Sequence, residues 1–223
     1  MTGTISKTLY VRQMTLGPMK NFVYLVGPAE GTDVAVVDPA WDVPAILAAA
    51  EADGKRVAAA FLSHHHFDHI NGVGPLLEAR DVPVYAQAAE VDFADALTPF
   101  RGALRAVKPG EVVEVGGLPV TCIHTPGHTP GSQCLHCGGA LVSGDTVFVN
   151  ACGRCDLSGG DPQQMFESLH RVLGGLDPST VLYPGHDYGD VPVSSLARER
   201  AHNPYFQLTA LPDFVRHRMR PRT

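Results

Sequence analysis

Residues 58–75 read AAAFLSHHHFDHINGVGP: an apolar run that ends abruptly in His64, His66, Asp68 and His69, four ligand-type side chains within six residues. The segment RVAAAFLS is short, apolar and bounded, which predicts a buried strand whose C-terminal end delivers the cluster. A solvated loop whose histidines cap backbone groups is the bland alternative. Three further stretches weigh against it. HTPGHTPGS places His128 among turn-forming residues just after the strand-like VTCI. LVSGDTVFV places Asp145 directly after an apolar run and Gly144. VLYPGHDYG does the same for His186. Each ligand-type residue thus follows a predicted strand and sits in a Gly-rich loop, where backbone can approach an ion closely.

The rest of the chain must supply a scaffold that gathers these strand ends. TLYVRQMTL, NFVYLVG and DVAVVDPA read as strands, VPAILAAAEADG as a helix stopped by Gly54, VPVYAQ as a strand and AAEVDFADAL as a helix. HINGVGPLLEAR reads as the start of a helix. In the second half, EVVEVGGLPVTCIHTPGH, SQCLHCGG and ALVSGDTVFV are again strand and turn material. DPQQMFESLHRVLGGL then predicts an amphipathic helix with Asp161 as cap and Pro162 in its first turn. STVLYPGH is a last strand and SSLARERAHNPYF a final helix. Strands followed by helices in both halves predict an α/β fold, a four-layer αββα sandwich. We expect one domain over residues 1–223, with a short C-terminal helical extension from about residue 194.

With 44% hydrophobic and 18% charged residues, the 223-residue chain can bury a sizeable core, and its formal charge of −6 offers no basic field for nucleic acid. No apolar stretch approaches the ~20 residues of a membrane helix. The N-terminal segment lacks the apolar region of a secretory signal, so the expected location is cytoplasmic. Five cysteines, an odd number, argue against a disulfide framework. Cys134, Cys137, Cys152 and Cys155 read as CxxC followed by CxxC, which invites a zinc-ribbon reading. The fourteen residues between the pairs are short for that spacing, and cysteines in a strand point partly to different faces. Buried or strand-surface thiols are preferred, with a structural zinc as the alternative.

Neutral imidazoles and carboxylates suit zinc or iron. Seven donors (His64, His66, Asp68, His69, His128, Asp145 and His186) exceed what one tetrahedral ion uses. Two ions roughly 3.5–4 Å apart could share them and hold a water or hydroxide that is nucleophilic near neutral pH.

Together these seven residues resemble the motif set of the metallo-β-lactamase superfamily, and within it the glyoxalase II (hydroxyacylglutathione hydrolase) branch, from about NFVYLVG to YPGHDYG. The resemblance implies an αββα fold and two divalent ions, zinc foremost, with iron or a mixture possible. His64, His66 and His128 would hold the first ion, Asp68, His69 and His186 the second, and Asp145 would bridge them. It implies a thioesterase in which Asp68 also orients the attacking hydroxide, acting on a small molecule such as a glutathione or other thiol ester. The chain departs from glyoxalase II in a shorter segment after residue 194. In its CGRCD loop, Arg154 stands in the basic substrate-binding position but Asp156 replaces the tyrosine. That loop and SSLARERAHNP also look like persulfide dioxygenases of the same fold. Those use a single iron(II) on residues matching His64, His128 and Asp145, and both readings stay open. A non-catalytic metal-binding protein is a distant third.

Among weaker candidates, Asp38 in AVVDPAW could orient a ligand imidazole or simply form a turn, and Tyr188 could donate to an oxyanion. His65 should point away from the ions, and His124 is expected to be structural. Arg216, Arg218, Arg220 and Arg222 could meet an anionic group on the substrate, but a solvated, partly disordered tail is the preferred expectation. Oligomeric state is unreadable.

Overall fold

The computed structural model of the protein describes residues 9–220, so Arg222 lies outside the described residues. Six strands form the first sheet in chain order: β1 (Leu9–Leu16), β2 (Asn21–Pro28), β3 (Asp33–Val37), β4 (Arg56–Phe61), β5 (Val84–Gln87) and β6 (Leu104–Val107). β1 to β3 run antiparallel and β3 to β6 parallel. The second sheet is built from β7 (Val112–Val115), β8 (Leu118–His124), β9 (Gln133–Cys137) and β10 (Ala140–Gly144). After the small hairpin β11 (Val147–Phe148) and β12 (Ala151–Cys152), it is completed by β13 (Val181–Pro184) and β14 (Ser194–Ser195). Its order is β14-β13-β10-β9-β8-β7, with β13 parallel to β10.

Side-chain alternation along the strands separates three apolar layers. Phe22, Tyr24 and Val26 of β2 and Phe61 of β4 meet Val120, Leu135 and Val142 of the other sheet, forming the core between the sheets. Val23 and Leu25 point the opposite way, against Ile46 of helix α1 (Val43–Ala52). Burying each such side chain is worth roughly 1.5–3 kcal/mol. The outer face of the second sheet packs Leu141 and Leu182 against Met165, Leu196, Phe206 and Phe214. These are the two packed sheets with outer helices that the strand and helix order predicts. Cys134 joins the outer layer and Cys137 the inter-sheet core, on opposite faces of β9, so the pair cannot chelate one ion; all five cysteines are buried and none forms a disulfide. Among the described residues, no helix is long and apolar enough to cross a membrane.

Several expected helices are broken. The end of the histidine cluster and the segment after it form two short helices, α2 (Phe67–Ile70) and α3 (Val73–Ala79), separated by Asn71 and Gly72. AAEVDFADAL gives α4 (Ala88–Phe93) and then a 3-10 turn over Asp95–Phe100. Asp161 caps α5 (Pro162–Glu167), accepting from Gln163 N and Gln164 N at 2.8 and 3.1 Å. The helix then loosens into a π turn and ends at Leu173–Gly175. The expected final helix splits into α6 (Leu196–His202) and α7 (Pro204–Gln207), because Asn203, preceding a proline, adopts extended backbone and caps α7 instead.

A further helix, α8 (Leu211–Arg218), occupies the expected solvated tail. Phe214 is fully buried among Phe166 and Tyr205, and Arg218, four residues on, falls on the same helix face and is buried too. Arg216 and Arg220 are exposed.

Candidate metal centre

The seven donors sit just beyond the C-terminal ends of strands. β4 leads to His64, β8 to His128, β10 to Asp145 and β13 to His186, while α2 carries Asp68 and His69 back over the same edge. Close approach is enforced by missing side chains. A Cβ on Gly185 would collide with Asp145 Oδ1, and one on Gly153 would collide with the Asp145 carbonyl.

The donors converge as two trios. His64 Nε2 lies 3.0 Å and His128 Nε2 2.9 Å from His66 Nδ1. His69 Nε2 lies 3.1 Å from His186 Nε2, and Asp68 Oδ2 is 3.5 and 3.4 Å from those two nitrogens. The potential ligand atoms within each trio lie within 4.8 Å of one another. Asp145 faces both: Oδ2 is 3.5 Å from His128 Nε2, while Oδ1 is 3.4 Å from His69 Nε2 and 3.5 Å from His186 Nε2. That Oδ1 is buried without a hydrogen-bond partner, an uncompensated acceptor that a cation would satisfy.

Partners behind the rings set where their protons sit. His128 Nδ1 faces the Arg154 carbonyl at 2.7 Å and His186 Nδ1 the Met19 carbonyl at 3.0 Å. His69 Nδ1 faces Asp38 Oδ2 at 2.9 Å, and His64 Nδ1 faces Ser63 Oγ at 2.9 Å, a hydroxyl that itself donates to Asp38 Oδ2. Each rear partner accepts, so each of these imidazoles carries its proton on Nδ1 and turns a lone pair inward when neutral. Clustered lone pairs beside two carboxylates fit divalent ions. Burial and the neighbouring imidazoles hold His64 well below its usual pKa, and burial, with His128 and His65, brings His66 down to about 4. At His69 burial acts downward too, but Asp145, Asp38 and Asp68 outweigh it and push it up to about 9. Burial opposes charge on Asp145, yet His69, His186 and His128 keep its carboxyl far below the carboxylate range.

Of the weaker candidates, Asp38 is the orienting partner of His69 and also accepts from Ser63 N at 2.6 Å. His65 turns away, its Nδ1 2.6 Å from Glu90 Oε1; His124 Nε2 ties the loop through Pro130 O at 2.9 Å. Tyr188 stacks on His186 with ring centroids 4.5 Å apart. Arg154 is held bidentately by Asp156. Arg218, expected in solvent, donates from Nε to Gly153 O at 2.7 Å and lines the same open cavity of about 510 Å³ as Arg154, Tyr188 and the donors.

Sequence reasoning missed Asn21, Trp41, Ser63 and Glu90. Buried Glu90 accepts from His65 N, Thr129 Oγ1 and Gly131 N, tying the His64–His69 loop to the His128 loop. Nothing local in AAEVDF separates Glu90 from Asp92 two positions on.

Residues 16–186 match the model of the metallo-beta-lactamase superfamily. The chain is 34% identical over 204 residues to the probable polyketide biosynthesis zinc-dependent hydrolase PksB of Bacillus subtilis, spanning 90% of this chain and 88% of PksB. It is 39% identical over 170 residues to the hydroxyacylglutathione hydrolase of Alkalilimnicola ehrlichii, spanning 75% of this chain and 62% of that protein. The crystal structure of ETHE1 from Myxococcus xanthus superposes with a TM-score of 0.85 at 29% identity, spanning 96% of this chain and 92% of that one.

Proposed function

Because the chain belongs to the metallo-β-lactamase superfamily of metal-dependent hydrolases, we propose that it is a thioesterase of the glyoxalase II-like type, working with two divalent ions, zinc foremost. One observation carries this reading: the two oxygens of Asp145 face different donor trios, Oδ2 the first and Oδ1 the second. His64, His66 and His128 would hold one ion and Asp68, His69 and His186 the other, with Asp145 available to both. When bound, the ions supply a Lewis acid for the acyl carbonyl and bring the pKa of bound water toward about 7.

The chain's own groups do the rest. Asp68, its Oδ2 pinned by Asn21 Nδ2 at 2.8 Å, would orient the attacking water as well as help hold the second ion. A thiolate needs little protonation to leave, which suits a site whose inward nitrogens are all committed. Phe67, Met19 and Leu157 form an apolar rim for an acyl or thiol chain, and Tyr188 stands beside His186 at the cavity wall. Arg154, paired with Asp156, and the buried Arg218 line the cavity, and Arg218 suits a small thiol ester that carries an anionic group. The protein acts in the cytoplasm in this reading.

A second reading uses a subset of the same donors. His64, His128 and Asp145 form a two-histidine, one-carboxylate set that suits a single iron(II), as in a persulfide dioxygenase. The rear partners of His69, Asp68 and His186 favour two ions, since each second-trio ligand is as firmly held as those of the first. Native mass spectrometry of protein purified without chelators, followed by a thioester panel, tests the proposal. Two ions and thioester turnover support it. One iron with no thioester turnover favours the dioxygenase.

A further inference from the structure

Asp68 is the one carboxylate of the second trio, and its position is set from outside the metal centre. Asn21 Nδ2 donates to Asp68 Oδ2 at 2.8 Å and to the Asp68 carbonyl at 3.1 Å, while Asn21 Oδ1 accepts from Trp41 Nε1 at 2.8 Å. The amide cannot be reversed: an indole N–H only donates and a carboxylate only accepts, so a flipped Asn21 would face donor with donor and acceptor with acceptor.

Trp41 grips α2 at both ends. Its ring meets Phe67 edge-on at 6.1 Å, and its backbone N–H donates to Asn71 Oδ1 at 2.7 Å. Gly17 in the β1–β2 turn lies flat against the indole, where a Cβ would collide with the ring. Trp41 also holds a left-handed backbone, φ +65°, which costs a bulky residue roughly 1–3 kcal/mol and persists only where the surroundings over-determine it. The same turn supplies the Met19 carbonyl behind His186.

We infer that Asn21 and Trp41 are positioning residues that build the second ion's site, and that the β1–β2 turn with Trp41 governs whether that ion is held. The inference rests on the two-ion reading above. Trp41 is the chain's single tryptophan, so its emission is a built-in reporter of the second site. First-trio ligands have other supports (Ser63 behind His64 and the Arg154 carbonyl behind His128), so the relay acts on one ion selectively.

The test is a zinc titration of the full chain after chelator stripping, followed by Trp41 emission and native mass spectrometry. Wild type should bind two ions, with emission changing only as the second binds; His186→Ala, which removes a second-trio ligand, should abolish that change. Asn21→Ala should weaken the second ion 10–100-fold and leave the first unchanged. Trp41→Phe, read by mass spectrometry, keeps an aromatic ring but removes the N–H and should act the same way. It decides the matter if Asn21→Ala does not fold. Second-ion affinity equal to wild type in the folded variants, or an emission change that survives in His186→Ala, overturns the relay alone. A wild-type chain that takes one ion at any zinc concentration overturns both the relay and the two-ion reading.

Discussion

Asp38 Oδ2 lies 2.9 Å from His69 Nδ1, and the same oxygen accepts from Ser63 Oγ at 2.6 Å, so one buried carboxylate orients His69 directly and His64 through a hydroxyl. Asp38 does this from a left-handed backbone, φ +52°, which asparagine also tolerates. Asp38→Asn therefore removes the charge without adding backbone strain. It should weaken metal binding 10–100-fold, measured by competition with a chromophoric chelator. An unchanged affinity would show that the carboxylate does not orient these ligands.

His69, with Asp145 foremost and Asp38 next among the carboxylates that face it, also sets a pH dependence. In the metal-free chain His69 is raised from 6.5 to about 9, so below that pH its Nε2 carries a proton where an ion would sit. Loading at pH 7 must release it, and apparent affinity should climb up to about tenfold per pH unit until pH 9. Stability of the stripped protein follows from the signs. A raised folded pKa stabilises fully below 6.5, and that contribution is lost as pH rises through 9. His66, lowered to about 4, acts oppositely: its contribution is present above 6.5 and is lost as pH falls toward 4. The stripped protein should thus melt highest near pH 6.5, and zinc should move the maximum upward. A scan of Tm against pH with and without zinc checks both signs.

Substitutions in the donors separate the readings. Asp145→Ala removes the residue facing both trios and should release metal and abolish activity under either reading. His186→Ala removes a donor-type side chain of the second trio only. It should lower thioester kcat/KM at least 100-fold in a two-ion hydrolase yet spare much of the activity of a one-iron dioxygenase. Full thioesterase activity in His186→Ala would refute the two-ion mechanism.

The convergence of the seven ligand-type side chains was legible because they are concentrated locally: four follow one strand, and each of the others sits in a short Gly-rich turn after another. The sandwich was legible from strand alternation. What supports the donors was not legible, because support is long-range. Asn21 reaches Asp68 across 47 positions, Trp41 reaches Asn21 across 20, and Glu90 reaches Gly131 across 41. None of these carries a local pattern. α8 was misjudged for another reason. Its dense arginines suggest a solvated segment, but Phe214 and Arg218 share the face turned inward, and burial of that face decides where the helix lies.

That misjudged arginine gives the last prediction. Arg154 is already neutralised by two hydrogen bonds to Asp156 in solvent-exposed surroundings, whereas Arg218 is buried, anchored through Nε to Gly153 O, and forms no ion pair with a carboxylate among the described residues. Its guanidinium lies 5.9 Å from the Tyr205 ring and lines the cavity beside the metal donors. A fixed, planar cation there should bind an anionic group of the thiol ester. Arg218→Gln should raise KM about tenfold for an anionic thiol ester, on the order of 1.4 kcal/mol, with a smaller change in kcat. Arg154→Gln should raise it less, since breaking its pair with Asp156 frees little binding energy at the surface. Steady-state kinetics on an anionic and a neutral thioester measure both. Equal KM changes for the two substrates in Arg218→Gln would mean that the arginine holds the Gly153 loop rather than the substrate.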